Sequence, residues 1–184
     1  MKSLLLILSA ILLINTSVFG QESQQITSGI GYINSFHKQD GIEFTIEYEG
    51  KVFREWTGLY VQGRTAYLDN SFSNYKGNEI LTDRFDLAIG VHQYFTPELS
   101  IWRPHFGFGT FVAFQDFEEK LSANSYRLTD EISTGLEWEI VSMWVVDSFS
   151  WGFGYKGTFH KFDAFSERVR QYENHVTLFC SYSF

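Results

Sequence analysis

The sequence has little cysteine, little proline and little basic charge. Cys180 is the only cysteine, so no internal disulfide can stabilise the fold. Proline occurs only at Pro97 and Pro104, which leaves most of the chain free to pair in β-sheets. The chain has 14 lysines and arginines against 22 aspartates and glutamates. This acidic balance argues against nucleic acid as a partner.

Long apolar runs are also lacking beyond the N-terminus. Lys2 precedes an apolar stretch over residues 4–14, and Val18 and Gly20 occupy the positions before a cleavage site. We predict a secretory signal peptide over residues 1–20 and one mature domain over residues 21–184; an uncleaved anchor helix is the alternative. The stretch is shorter than the roughly 20 residues that a membrane-spanning helix needs. A lipid-spanning protein without such helices has to be a closed barrel.

What the sequence does have is a strict alternation at its C-terminus. From Tyr172 to Tyr182 every second residue belongs to one face, and the intervening residues are polar except Phe179. This pattern predicts a strand with one face against an apolar medium and the other against polar groups. The chain ends on Phe184, and the same alternation recurs over residues 149–160.

Six further segments complete a set of eight predicted strands. The set lies at 26–36, 42–48, within 52–67, and at 84–95, 101–114, 126–140, 149–160 and 172–184. We therefore predict an all-β fold, an eight-stranded antiparallel up-and-down transmembrane β-barrel. A barrel of eight strands has room inside for side chains or one small ligand. A soluble β-sandwich or lipocalin-like barrel is the alternative fold.

The connections predict an orientation with both termini in the periplasm. Short periplasmic turns are expected near residues 50, 97 and 143, the first of them at Glu49–Lys51. Outer loops, mostly longer and more polar, are expected at 37–41, 68–82, 115–124 and 161–171. Pro104 predicts a bulge or a late start of the fifth strand.

The polar face of these strands predicts a charged lumen. Its expected members are Glu43, Glu47, Asp86, His92, Arg103, His105, Arg127, Glu131, Lys156, His160, Glu173 and His175. Acids and bases on neighbouring strands favour an ion-paired core over a proton or ion pathway. We expect no cofactor and no metal site, because the four lumenal histidines come from separate strands at different depths.

The mature chain resembles the small eight-stranded outer-membrane barrels of the OmpX/Ail and OmpW kind. The resemblance is carried by Phe106–Gly109, by Thr134–Trp138 and by the terminal Phe184. It implies a cell outer membrane location, a monomer among outer-membrane lipids and lipopolysaccharide, and recognition of Phe184 by the barrel assembly machinery. Structural, adhesion or surface-interaction roles occur among such barrels, as does passage of small hydrophobic molecules. We expect contacts through the outer loops Asp69–Asn78 and Asp163–Arg170.

The region from residue 101 onward is also similar to the PagL-type lipid A 3-O-deacylases. Their histidine motif matches His160 and the four residues after it, and their catalytic glutamate matches Glu173. This resemblance implies His160 and Glu173 as catalytic residues. The motif serine is replaced by Phe162, and the nearby hydroxyls are Thr158 and Ser166. Because His160 also has lumenal parity, we favour a protein that is not an enzyme; a PagL-like deacylase, active or inactive, is the alternative.

Overall fold

The computed structural model describes residues 24–35, 40–53, 56–69, 80–97, 100–122, 125–164 and 167–184, so the predicted signal peptide lies outside the described residues. The strands are β1 (Gln24–Ser35), β2 (Asp40–Phe53), β3 (Thr57–Asp69), β4 (Ile80–Tyr94), β5 (His105–Ser122), β6 (Ser125–Val146), β7 (Phe149–Ala164) and β8 (Glu167–Ser183). They form one closed antiparallel barrel in sequence order, which confirms the predicted fold. Within these ranges, no helix is long and apolar enough to span a membrane.

The barrel closes where β8 pairs with β1. Gln24 and Phe184 exchange two backbone hydrogen bonds of 3.2 and 2.9 Å, so both ends of the described chain lie at one end of the barrel. We call this the near end and the opposite one the far end; the near end is the predicted periplasmic one. The register positions opposite Tyr32 lead through β2, β3 and β4 to Asp116 of β5, and through β8, β7 and β6 to Phe106 of the same strand. These two end points differ by ten residues, which is the stagger of the closed barrel. The strands are therefore tilted, as closure requires.

The outside of the barrel is apolar on every strand. On β8, Val176, Leu178 and Tyr182 are 53, 64 and 46 % exposed, and the clear alternation of β7 gives the same result. The predicted outward faces are thus confirmed over most of the barrel; Tyr48 is an exception, being buried although its parity is outward. An apolar band of this extent around a closed barrel is stable in lipid and not in water.

Four predicted connections are wrong because the strands are longer than the apolar pattern suggested. Residues 49–51 continue β2, and residues 115–122 continue β5. Residues 141–146 continue β6, and the turn that follows contains Asp147, which has a positive φ of 55°. The loop predicted over 161–171 belongs largely to β7 and β8. In these segments the two faces of the strand are both polar or both apolar, so the sequence shows no alternation there. The strands nevertheless continue to pair through them.

The expected contrast between short near-end turns and longer far-end loops is therefore only partly confirmed. Two residues separate β5 from β6 and two separate β7 from β8 at the far end, whereas ten residues separate β4 from β5 at the near end. Residues 70–79, the longest interval at the far end, lie outside the described residues. Among the described residues, the far end consists of extended strands.

Pro104 delays the start of β5, as predicted. The residues before it still continue the barrel wall: Phe95 N donates to Pro104 O at 3.1 Å, and Arg103 N donates to Met143 O at 2.8 Å. Trp102 and Trp144 form an isolated bridge beyond these bonds. The wall beside Pro104 is therefore hydrogen-bonded on both sides.

Candidate functional site: the charged lumen

The lumen is filled with polar and charged side chains. Ten of the twelve predicted members are buried there, namely Glu43, Glu47, Asp86, His92, Arg103, His105, Lys156, His160, Glu173 and His175. Glu131 is instead partly exposed, and the side chain of Arg127 lies outside the described residues. The prediction of a charged interior is thus confirmed for the described residues.

Sequence reasoning missed several members of this interior. Buried lumenal residues absent from the prediction include Glu49, Lys51, Arg64, Arg84, Glu137 and Glu139. Glu49 and Lys51 fall in a predicted turn, and Arg64 falls in the third predicted strand, which the pattern places only somewhere within 52–67. The signal for the last two was present, because Glu137 and Glu139 alternate with outward-facing apolar residues along β6.

One ion-pair chain crosses the middle of the lumen. Arg64 on β3 donates from Nη1 to Oε2 of Glu137 on β6 at 2.6 Å, and its Nη2 lies 3.2 Å from Oδ2 of Asp86. Tyr60 donates its hydroxyl to the other Glu137 oxygen at 2.6 Å. Each of these side chains is at most 1 % exposed. Since an uncompensated buried charge costs several kcal/mol, the pairing fixes the geometry of these four side chains.

The chain continues toward the far end through Arg84. Its Nη1 donates to both carboxylate oxygens of Glu173 on β8, at 2.6 and 2.7 Å, and its Nε lies 3.2 Å from Asp86. Glu173 also accepts hydrogen bonds from Thr158 and Gln171, at 3.0 and 2.7 Å. Together with the Arg64 pairs, these contacts join β3, β4, β6, β7 and β8 across the interior.

A second cluster occupies the near-end half of the lumen, and we call it the His92 cluster. The two ring nitrogens of His92 each lie 2.5 Å from a carboxylate oxygen, Nδ1 from Glu49 and Nε2 from Glu139. Glu49 also pairs with Lys51 and accepts from the Tyr94 hydroxyl at 2.8 and 2.9 Å. The His92 ring is therefore held between the carboxylates of Glu49 on β2 and Glu139 on β6.

A small cavity adjoins the His92 cluster. Its volume is about 40 Å³, and its lining includes His105, Lys156, Glu47 and Glu139. A space of this size holds roughly one to three water molecules. Lys156 lies 3.4 Å from Glu139 and donates to Gln62 at 2.5 Å, so polar groups line the cavity on several sides.

Glycines leave the room that these side chains occupy. A Cβ on Gly107 would lie 2.6 Å from Cγ of Glu139 and 2.9 Å from Cδ2 of His92. A Cβ on Gly58 would lie 2.2 Å from the Glu49 carboxylate. These glycines therefore leave space in the barrel wall for the large polar side chains that pack against them.

The two predicted catalytic residues do come together. Nε2 of His160 lies 3.8 Å from Oε1 of Glu173, and Nδ1 of His160 lies 3.3 Å from the Ser133 hydroxyl. Ser133 was not among the predicted hydroxyls. Thr158 donates to Glu173 instead, and the side chain of Phe162 lies outside the described residues.

Ser133, His160 and Glu173 match the chemical types of a nucleophile, a base and an orienting carboxylate. All three side chains are at most 4 % exposed and face the lumen. An acyl chain in the surrounding bilayer has no described path to the serine hydroxyl. Glu173 is moreover held by Arg84, so its geometry is also that of an ion-paired core residue.

The two segments predicted as contact loops have different outcomes. Residues 70–78 lie outside the described residues. The second segment, Asp163–Arg170, is mostly strand: β7 extends to Ala164, β8 begins at Glu167, and Asp163 pairs with Arg168 in the ladder. It is therefore part of the barrel wall and not a long loop.

Solved structures share this fold. OprG from Pseudomonas aeruginosa aligns with a TM-score of 0.59 at 12 % identity, covering 90 % of this chain and 98 % of that one. Neisserial surface protein A gives 0.56 at 12 % identity over 88 and 96 % of the two chains. The attachment invasion locus protein Ail of Yersinia pestis gives 0.55 at 13 % identity over 90 and 100 %.

The chain has the fold of the small eight-stranded outer-membrane barrels. The outer-membrane location that the resemblance implies agrees with this fold and with the apolar exterior. No family model matches the sequence, and no curated protein matches it. The identities of 12 to 13 % carry the fold and nothing about the activity.

Proposed function

We propose that this protein is a closed, monomeric outer-membrane barrel that acts through its outer surface, as a structural or surface-interaction protein. The observation that carries the proposal is the ion-pair chain from Glu173 through Arg84, Asp86 and Arg64 to Glu137. Such a chain occupies the bore that a solute pathway would need. The lumen then serves stability, and interaction with other molecules is left to the exterior.

The far end supports an interaction role by its exposed surface. Asp83, Asp116 and Asp130 are paired in register on β4, β5 and β6 and form a row of exposed aspartates. Leu128 and Ile132, on the same strand as Asp130, are 72 and 65 % exposed. Like charges directly opposite one another destabilise strand pairing. A cationic group on a partner would relieve this repulsion.

The test is adherence of a non-adherent Gram-negative laboratory strain that expresses the protein, measured on cultured epithelial cells and by sedimentation of aggregates. One variant replaces residues 70–79 with a glycine-serine segment of equal length, and a second changes Asp83, Asp116 and Asp130 to Asn. Asp40→Asn, an exposed aspartate at the same end outside the row, is the control. We expect adherence with the natural chain and with the control, and a loss of several-fold in at least one variant.

Equal adherence by vector-only cells and by cells with the natural chain would contradict the surface-interaction role. Each variant is first shown to be folded by its heat-dependent mobility on gels. A variant that fails this check is replaced by its single substitutions, so that a folding defect is not read as a binding defect.

A second candidate function, lipid A deacylation, is favoured by one observation, the hydroxyl of Ser133 beside His160. Mass spectrometry of lipid A from cells expressing the natural chain, Ser133→Ala or His160→Ala tests it. We expect identical lipid A in all three. Loss of an acyl chain with the natural sequence alone would establish the hydrolase and overturn the first proposal.

A further inference from the structure

Five histidines are present in the chain, and four of them are buried in the lumen. Three of the four have described hydrogen-bond partners: His92 between Glu49 and Glu139, His160 with Ser133, and His175 with Glu43. The fourth, His105, is 4 % exposed, and its Nδ1 has no hydrogen-bond partner among the described residues. A buried ring nitrogen without a partner costs free energy unless a ligand occupies it.

Two further groups that can bind metals lie beside His105. Its ring centroid lies 4.7 Å from that of His92, and one donor atom from each of His92, His105 and Glu139 lies within 4.8 Å of the other two. Two imidazoles and one carboxylate are a ligand set that binds Zn²⁺, with water as a fourth ligand. The adjoining cavity of about 40 Å³ offers room for that water.

The sequence predicts no metal site, because the histidines come from separate strands at different depths. His92 and His105 do lie on separate strands, β4 and β5, but their depths differ little. His105 is opposite Tyr94 in the ladder, two residues along β4 from His92, and the two ring centroids are only 4.7 Å apart.

Other side chains contact His92, Glu139 and His105 and restrict their orientation. Glu49 holds Nδ1 of His92 at 2.5 Å, so Nε2, which now contacts Glu139, is the nitrogen that faces the other two groups, as in the carboxylate–histidine–metal arrangement common in zinc proteins. Lys156 lies 3.4 Å from Oε2 of Glu139, while Oε1 faces His92. Tyr94 packs its ring against His105 with centroids 4.6 Å apart.

Another trio, Glu47, Glu49 and His92, also brings donor atoms within 4.8 Å. Glu49 already has Lys51 and Tyr94 as partners, and Glu47 accepts from Gln62 at 2.8 Å. A metal there would have to displace these partners. In the trio with His105, the ion would replace the hydrogen bond between Nε2 of His92 and Oε1 of Glu139, and these atoms would separate from 2.5 Å to the roughly 3.3 Å between ligands of a tetrahedral zinc site. The His105 donor atom, now within 4.8 Å of both, would have to lie at a similar distance from them.

We propose that His92, His105 and Glu139 bind one divalent transition-metal ion of the zinc type in the near-end half of the lumen. Gly107 belongs to the site, since a Cβ there would lie 2.6 Å from Glu139 and 2.9 Å from His92. The site lies toward the near end, where His105 is the first residue of β5. The site is independent of the outer-surface role.

The experiment uses the untagged barrel, refolded in detergent and freed of metal with a chelator. Cys180→Ser and His37→Gln are introduced first, because an exposed thiol and the remaining histidine also bind zinc. Zn²⁺ is titrated by calorimetry, and Co²⁺ absorption reports coordination by nitrogen and oxygen. The test variants are His105→Gln and Glu139→Gln, and the control is His175→Gln, a lumenal histidine outside the site.

We expect one Zn²⁺ per barrel in the background protein, an affinity at least tenfold lower in His105→Gln and Glu139→Gln, and an affinity within threefold of background in His175→Gln. Heat-dependent gel mobility checks that each variant is folded; His105 has no described hydrogen bond to lose, so His105→Gln is the variant that decides. Absence of stoichiometric binding, or equal binding by His105→Gln, would overturn the proposal. Equal loss in the folded His175→Gln barrel would also overturn it, since the ion would then lie elsewhere.

Discussion

Arg64 on β3 and Glu137 on β6 meet across the lumen, with Nη1 of the arginine 2.6 Å from Oε2 of the glutamate. The two residues are 73 positions apart in the sequence and both are 1 % exposed. Their strands lie three places apart around the barrel, so the pair links opposite walls. Contacts of this kind fill the lumen with paired charges.

Removing one partner of this pair leaves the other charged and buried. We expect Arg64→Leu to lower the free energy of unfolding by about 3–5 kcal/mol. The double variant with Glu137→Leu recovers part of this loss, because no unpaired charge remains between the two sites; Asp86 keeps its contact with Arg84 in both variants. Urea unfolding in lipid vesicles, followed by tryptophan fluorescence, measures both. Equal stability of Arg64→Leu and the natural protein would contradict the structural role of the pair.

Where a glycine packs against a large lumenal side chain, we expect that a larger residue at the glycine position destabilises the barrel. A Cβ on Gly109 would lie 2.4 Å from the Tyr60 hydroxyl and 2.7 Å from the Ile89 carbonyl oxygen. Gly109→Ala is expected to cost about 1–3 kcal/mol, the usual range for overpacking. Gly63 is the matched control, since nothing lies within 4 Å of its Cβ position, and Gly63→Ala should be neutral or stabilising by roughly 0.5–1 kcal/mol. The same unfolding measurement compares the two, and a smaller loss for Gly109→Ala than for Gly63→Ala would refute the argument.

The terminal Phe184 closes the barrel through its backbone and exposes its ring. Its amide and carbonyl pair with Gln24, while the side chain is 58 % exposed. We expect Phe184→Ala to refold from urea in vitro to the same heat-shifted species, because the backbone bonds remain. In cells, the amount of folded protein should fall several-fold if the ring is read during assembly. Semi-quantitative gel analysis of outer membranes measures this, and unchanged amounts would contradict the assembly role; Tyr182→Ala, on the same face, is the control.

The parts of the fold that the sequence predicts are those where the two faces of a strand meet different media. β7 and β8 alternate cleanly because one side meets lipid and the other a charged lumen. The strand ends are not predicted, because their two faces do not differ in polarity. Residues 115–122 are largely polar on both faces and resemble a loop, yet they pair with β6 through register positions such as Asp116 with Asp130.

The contacts of the candidate site could not be predicted from the sequence. The polar parity of β4 and β5 indicates that His92 and His105 face inward, and this is correct. Their proximity depends on the register between β4 and β5, which no local pattern specifies. The pairing of Arg64 with Glu137 depends on the stagger of the whole barrel, which is a property of closure and not of any one strand.

Paired charges fill the described lumen, and we propose that they close it to solutes. Conductance of the refolded protein in planar lipid bilayers tests this most directly, with the Arg64→Ala/Arg84→Ala double variant alongside. We expect no discrete conductance steps for the natural barrel and measurable steps for the folded double variant, in which no arginine at position 64 or 84 bridges the bore. Steady, reproducible conductance by the natural barrel would contradict the claim.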